Sequence, residues 1–158
     1  MIYKAAVEDL LREGRIKRCT VDEKGALNLM RRAAKDISTA KRNLSQDEDC
    51  AYSYAYQAML RSGLALMLWE GFRPDIKDKH RTVVRFVTSF LGKESKKLLN
   101  DYDFMRRKRH MLVYEPDIPC STKEATDAIE TAEEFIGIIV KVIKRKNPQQ
   151  ELNTENEH

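Results

Sequence analysis

No stretch of this 158-residue chain alternates apolar and polar residues over the length of a strand, and glycine and proline are scarce at six and four. An all-β sandwich or barrel is excluded, because it would show period-two runs broken by frequent turn residues. The few glycines and prolines are expected at segment ends. Cys19, Cys50 and Cys120 form an odd, scattered set with no CxxC and no neighbouring His. They predict reduced thiols rather than a disulfide framework. His80 and His110 have no Cys or carboxylate at zinc-ligand spacing, so no metal is expected. There is no Gly-rich phosphate loop, Ser/His/Asp order or dinucleotide fingerprint, and no cofactor is expected. The most apolar window, Gly63 to Trp69, is too short for a bilayer, and Glu8, Asp9, Arg12 and Glu13 interrupt any leader-like run. The expectation is a cytoplasmic protein with no membrane contact.

Apolar residues make up 42% of the chain and charged ones 34%, with a net charge of +4 and a pI near 8.9. This is the composition of a helical globular domain whose charge permits contact with nucleic acid without demanding it. Residues 3–13 read as a short helix carrying Val7, Leu10 and Leu11 and stopped by Gly14. Thr20 with Glu23 has capping-box spacing and predicts a helix to about Asn43, striped by Leu27, Met30, Ala34, Ile37 and Leu44. Ser45 with Glu48 predicts a second box, opening a helix to Trp69 or Glu70 that ends at Gly71. That helix is apolar around most of its circumference, as a central helix would be. Pro74 enforces a break. Residues 78–91, stopped by Gly92, form a shorter helix, and another runs from about Glu94 to Tyr114 before Pro116 and Pro119. Ser121 with Glu124 is a third box, opening a last helix with its seam at Ala125, Ala128, Ala132, Phe135, Ile139 and Ile143. Residues 147–158 lack apolar periodicity and are expected to be a disordered tail. The fold class is therefore all-α: one domain over residues 1–146, an up-and-down four-helix bundle with one or two additional short helices.

One segment breaks the amphipathic rule. In "FMRRKRHMLVYEP", four cations and a histidine interrupt the penultimate helix. At 100° per residue, Leu98, Tyr102, Met105, Leu112 and Val113 centre its apolar stripe, and Arg109 falls in the middle. A cation there is costly unless it is paired or wet, and Asp36 and Glu70 are possible partners. Arg106 and His110, four residues apart, share a flank with Tyr114, while Arg107 and Lys108 point toward water. The ordinary reading of such a run is a solvated helix face; the sharper one is a functional or interface cluster. His80 reads as a polar residue of a helix N-terminus near Asp78, and the Tyr52, Tyr54, Tyr56 series as core packing with one interface ring.

The segments "AAKDISTAKRNL", "CAYSYAYQAMLRSGLALMLWEG", "KHRTVVRFV", "YDFMRRKRHMLVYEP" and "STKEATDAIETAEEFI" give a layout similar to the HEPN superfamily of small helical bundles, over about residues 20 to 146. In nuclease members an Arg is followed by four to six residues and a His, presented in a groove, commonly between two subunits. The resemblance implies metal-independent RNA cleavage, with His moving a proton and Arg stabilising the phosphate. Here only three residues separate Arg106 from His110, and Met105, Phe104 and Asp103 stand where the family's Arg is found.

Three functions are therefore expected as competitors. The first is an RNA-associated binding or interaction module acting as a homodimer, with Arg107, Arg109, Tyr114, Lys79 and Arg81 among its RNA or phosphate contacts. Lys77, His80, Arg85, Lys141, Lys144, Arg145 and Lys146 offer further contacts. The second is a ribonuclease of toxin or RNA-processing type, using Arg106 and His110. The third is a scaffold partnering a nucleotidyltransferase-like protein, with no RNA role. The dimer expectation rests on the all-round apolar helix 50–69 and the flank beside Arg106.

Overall fold

The computed structural model describes residues 2–92, 95–115 and 117–146; the expected tail at 147–158 lies outside the described residues. Four long helices form an up-and-down bundle: α2 (Glu23–Asn43), α3 (Glu48–Trp69), α5 (Lys96–Tyr114) and α6 (Thr122–Lys146). Two shorter helices, α1 (Ile2–Arg12) and α4 (Lys79–Leu91), complete it. Among the described residues no helix is long and apolar enough to cross a membrane.

α3 is the central element. It packs most extensively on α2 and α6 and more lightly on α4 and α5. Its buried residues, from Ala51 to Trp69, surround the helix axis, which explains the apolarity of its whole circumference. That apolarity is spent inside the chain. Of its large apolar side chains Tyr54 is exposed and Leu64 and Leu68 are partly buried, so only part of helix 50–69 is open to the second copy expected on it.

The α2 face that meets α3 carries Ala26, Met30, Ala33, Ile37 and Ala40. This is offset from the expected stripe: Leu27 and Ala34 are only partly buried. Ala26, Ala33 and Ala40 let the two backbones approach, with Met30 and Ile37 buried beside them, while Leu27 and Ala34 lie at the edge. Across this interface Arg61 donates from Nη1 to both carboxylate oxygens of Asp36, at 2.6 and 2.7 Å.

The helix starts partly depart from the expected boxes. α2 is capped by Asp22, whose side chain accepts from the Gly25 amide at 2.8 Å, not by Thr20. α3 is capped by Asp47, accepting from the Cys50 amide at 3.0 Å, not by Ser45. In both cases a carboxylate two residues nearer the helix meets the free amides and the positive end of the dipole better than a hydroxyl. The third box forms as expected: the Glu124 amide donates to Ser121 Oγ at 3.0 Å, and the Ser121 amide to Glu124 at 3.2 Å.

Not every glycine marks a boundary. Gly25, Gly63 and Gly137 lie within helices. At Gly63 a Cβ would overlap Cγ1 of Val83, so the residue sets how closely α4 lies on α3.

A short ribbon was not foreseen. β1 (Ile16–Arg18) pairs antiparallel with β2 (Phe72–Pro74), with Lys17 opposite Arg73. Three-residue strands are too short to show alternation, and α2 and α3 separate the two in the chain; the turn at Gly71, where φ is +82°, leads from α3 into β2. The ribbon anchors α1 beside α4, helped by Arg85 gripping Glu13 at 2.8 and 3.2 Å.

Candidate nucleic-acid interface

α5 is buried only in its first half, at Leu98, Leu99, Tyr102 and Met105. Beyond that point it leaves the core. Leu112 still packs partly buried against the core, but Val113 is 50% exposed and Tyr114 69%, so the expected stripe does not include Val113. Arg109 sits where the helix emerges, partly buried, with its guanidinium 6.0 Å from the centroid of the Tyr56 ring. The ring face and partial hydration accommodate the charge. Asp36, one of the two possible partners, is instead held by Arg61.

The neighbouring cations go different ways. Arg106 turns toward α4, its Nε donating to Asp103 Oδ1 at 3.1 Å. Arg107, exposed, approaches the other oxygen of the same carboxylate at 3.4 Å. Lys108 does not point into water as expected. Its side chain is only 14% exposed and pairs with Glu124 of α6. Helix-wheel geometry assumes solvent beyond the wheel; here the start of α6 occupies that space. His110 is exposed, its ring tilted 46° against Tyr114 at 4.6 Å between centroids.

The structure thus separates the flank into two places. Arg106 joins Ile76, Asp78, Lys79, His80 and Arg81 around an open cleft of about 490 Å³. His110 and Tyr114 lie further along α5, outside that lining. Lys79 and Arg81 are brought to Arg106, whereas Arg107 stays on the outer surface of α5. Arg85 is drawn aside by Glu13.

The first turn of α4 also shapes the cleft. Asp78 adopts a left-handed conformation (φ 54°) and makes no side-chain cap; its carboxylate reaches Arg15 at 3.2 Å instead. The positive end of the α4 dipole therefore faces the same space as the cations.

Sequence reasoning placed His80 at this helix start but missed its partner. Nδ1 of His80 lies 2.7 Å from the Tyr56 hydroxyl, and the two rings stack at 19° with centroids 5.7 Å apart. Burial lowers the His80 pKa below its ordinary value, and Arg109, Lys79 and Arg106 lower it further. Burial pushes the Tyr56 phenol well above its ordinary range, so it keeps its proton. The alternating Tyr52 and Tyr56 hinted at an inward face; nothing in sequence tied residue 56 to residue 80.

The cleft can hold an anion, with guanidinium, ammonium, imidazole and helix-end donors converging on it. Comparison with curated proteins and with solved structures finds no match to this chain. The sequence model of the HEPN domain matches residues 26–143, from the first turn of α2 almost to the end of α6, and the chain belongs to the HEPN domain family.

Proposed function

We propose that this HEPN protein is an RNA-associated binding module whose phosphate contacts come from Arg106 and Arg109 of α5 with Lys79 and Arg81 of α4, aided by Arg107. The observation that supports this most directly is the shared cleft lined by Arg106, Lys79, His80 and Arg81. The two carboxylates nearest these cations, Asp78 and Asp103, are themselves engaged with Arg15 and with Arg106 and Arg107. Cations remain in excess there, and a polyanion supplies the balance. Homodimerisation belongs to the same proposal. Phe104, Met111 and Tyr114 leave an apolar face exposed along α5, which a two-fold partner would cover while placing a second basic cleft alongside.

The test is fluorescence anisotropy with single-stranded and structured RNA across a salt series. Affinity should fall linearly on logarithmic axes, by a slope of about −0.7 per phosphate neutralised on a single strand. Arg106→Ala and the double change Lys79→Ala/Arg81→Ala should weaken binding and flatten the slope. Binding that ignores salt and these changes would contradict the proposal, and no binding at all would leave the scaffold reading, with a nucleotidyltransferase-like partner, in its place.

The ribonuclease reading retains one supporting feature: Arg106 and His110 are one turn apart on α5. Incubation with RNA in EDTA, beside Arg106→Ala and His110→Ala, decides it. Cleavage lost in both variants supports a catalytic pair; intact RNA with every protein removes it.

A further inference from the structure

We infer that His80, aimed by Tyr56, is an RNA-phosphate contact of the cleft, donating its Nε2–H to a non-bridging phosphate oxygen beside the Arg106 and Arg109 guanidinium groups. The inference rests on the RNA-binding reading of the same cleft and adds to it the imidazole that does the recognising.

The argument starts from Tyr56. Its side chain is fully buried in the middle of α3, and the His80 Nδ1 at 2.7 Å is its hydrogen-bond partner. A buried phenol O–H without an acceptor is strongly disfavoured, and an imidazole nitrogen is a good acceptor. The hydroxyl therefore donates to Nδ1. In a neutral imidazole that leaves the proton on Nε2, at the opposite edge of the ring. An Nε2–H edge is a donor and cannot act as a base, so the arrangement serves anion binding rather than proton abstraction.

The surroundings agree. His80 is half-buried and lines the cleft with Arg106, Lys79 and Arg81. Tyr56 also places its ring beneath Arg109, so one buried side chain orients the imidazole and supports a guanidinium. The charged and titratable groups around His80 are Tyr56 from α3, Arg106 and Arg109 from α5, and Asp78, Lys79 and Arg81 beside it. Burial, with the excess of cations, disfavours the charged imidazole in the free protein. His110, exposed against Tyr114, lies outside this arrangement.

The experiment uses the full chain, with ¹⁵N-detected imidazole spectra and two probes, inorganic phosphate and a five-nucleotide RNA. His80 should be the Nε2–H tautomer, and Tyr56→Phe should mix the tautomers. Both probes should move the His80 signals while leaving the Nε2–H tautomer in place. His80→Ala should weaken RNA binding about tenfold, and His80→Gln, which keeps an amide donor, should recover part of that. Unaltered thermal unfolding of His80→Gln separates site loss from misfolding. If Arg106→Ala weakens RNA binding while His80→Ala, Tyr56→Phe and the His80 signals are indifferent, the inference is wrong and the RNA reading stands. If phosphate moves His80 but RNA does not bind, the RNA reading falls and the phosphate contact stands. If neither probe moves His80, the inference is overturned.

Discussion

Asp36 of α2 and Arg61 of α3 are joined through a single guanidinium nitrogen that reaches both carboxylate oxygens, at 2.6 and 2.7 Å. The Asp36 side chain is 5% exposed and Arg61 22%, so the pair ties together the two helices of the main interface while Arg61 keeps one edge in water. Burial raises the Asp36 pKa, and Arg61 opposes the rise without cancelling it.

Replacing Arg61 with Met should cost about 3–5 kcal/mol at neutral pH, because it leaves a buried carboxylate uncompensated. The folded Asp36 pKa already lies above its ordinary value of 3.8, so folding favours the protonated acid. That contribution is present below the unfolded value and is lost as pH rises through the folded one. Denaturant melts should therefore show the Arg61→Met penalty shrinking as the solution is acidified. A penalty that is constant with pH would mean that Asp36 stays charged.

At the start of α6 the sign is opposite. Lys108 holds the Glu124 pKa below its ordinary 4.5, with the Ser121 amide adding to the effect. The stabilisation is present above the unfolded value and disappears as pH falls through the lower folded one. Glu124→Gln should lower the unfolding midpoint at pH 7 and match the parent protein at strongly acid pH. Ser121→Ala removes the cap hydroxyl and should cost about 1 kcal/mol.

Gly63→Ala tests how α4 is seated. The new methyl group would overlap Val83 Cγ1 and stand 3.3 Å from Val87 Cγ2. Overpacking of this kind costs about 1–3 kcal/mol. The same shift should move α4, and with it His80, away from Tyr56, so the His80 tautomer balance should change together with the melting temperature. A destabilised protein with an unchanged His80 spectrum would show that the strain is absorbed elsewhere.

Tyr102 is wholly buried, and its hydroxyl makes no hydrogen bond among the described residues. Tyr102→Phe removes a polar atom that gains nothing, so stability should be unchanged or rise by about 1 kcal/mol. A clear loss in thermal unfolding would reveal a partner for that hydroxyl.

The helix pattern was legible because its causes are local. Gly71 and Gly92 ended helices where expected, and Ser121 with Glu124 formed its box. The departures at the helix starts have local causes too. Thr20 and Ser45 matched the box pattern, but Asp22 and Asp47 stood closer to the amides needing a partner. Lys108 was read as solvated because a helical wheel drawn for one helix cannot show that Glu124 is waiting on another.

The amino-acid sequence by itself determined the helices, their approximate ends, the central place of α3 and the resemblance to the HEPN family. Apolar periodicity and end-capping act over a few residues and leave a readable trace. Only the tertiary structure decided which imidazole shares a cleft with Arg106. Residues 56, 80 and 106 lie on three helices, and their meeting depends on how α4 and α5 pack against α3. Packing of that kind depends on shape across distant segments, and no spacing along the chain records it.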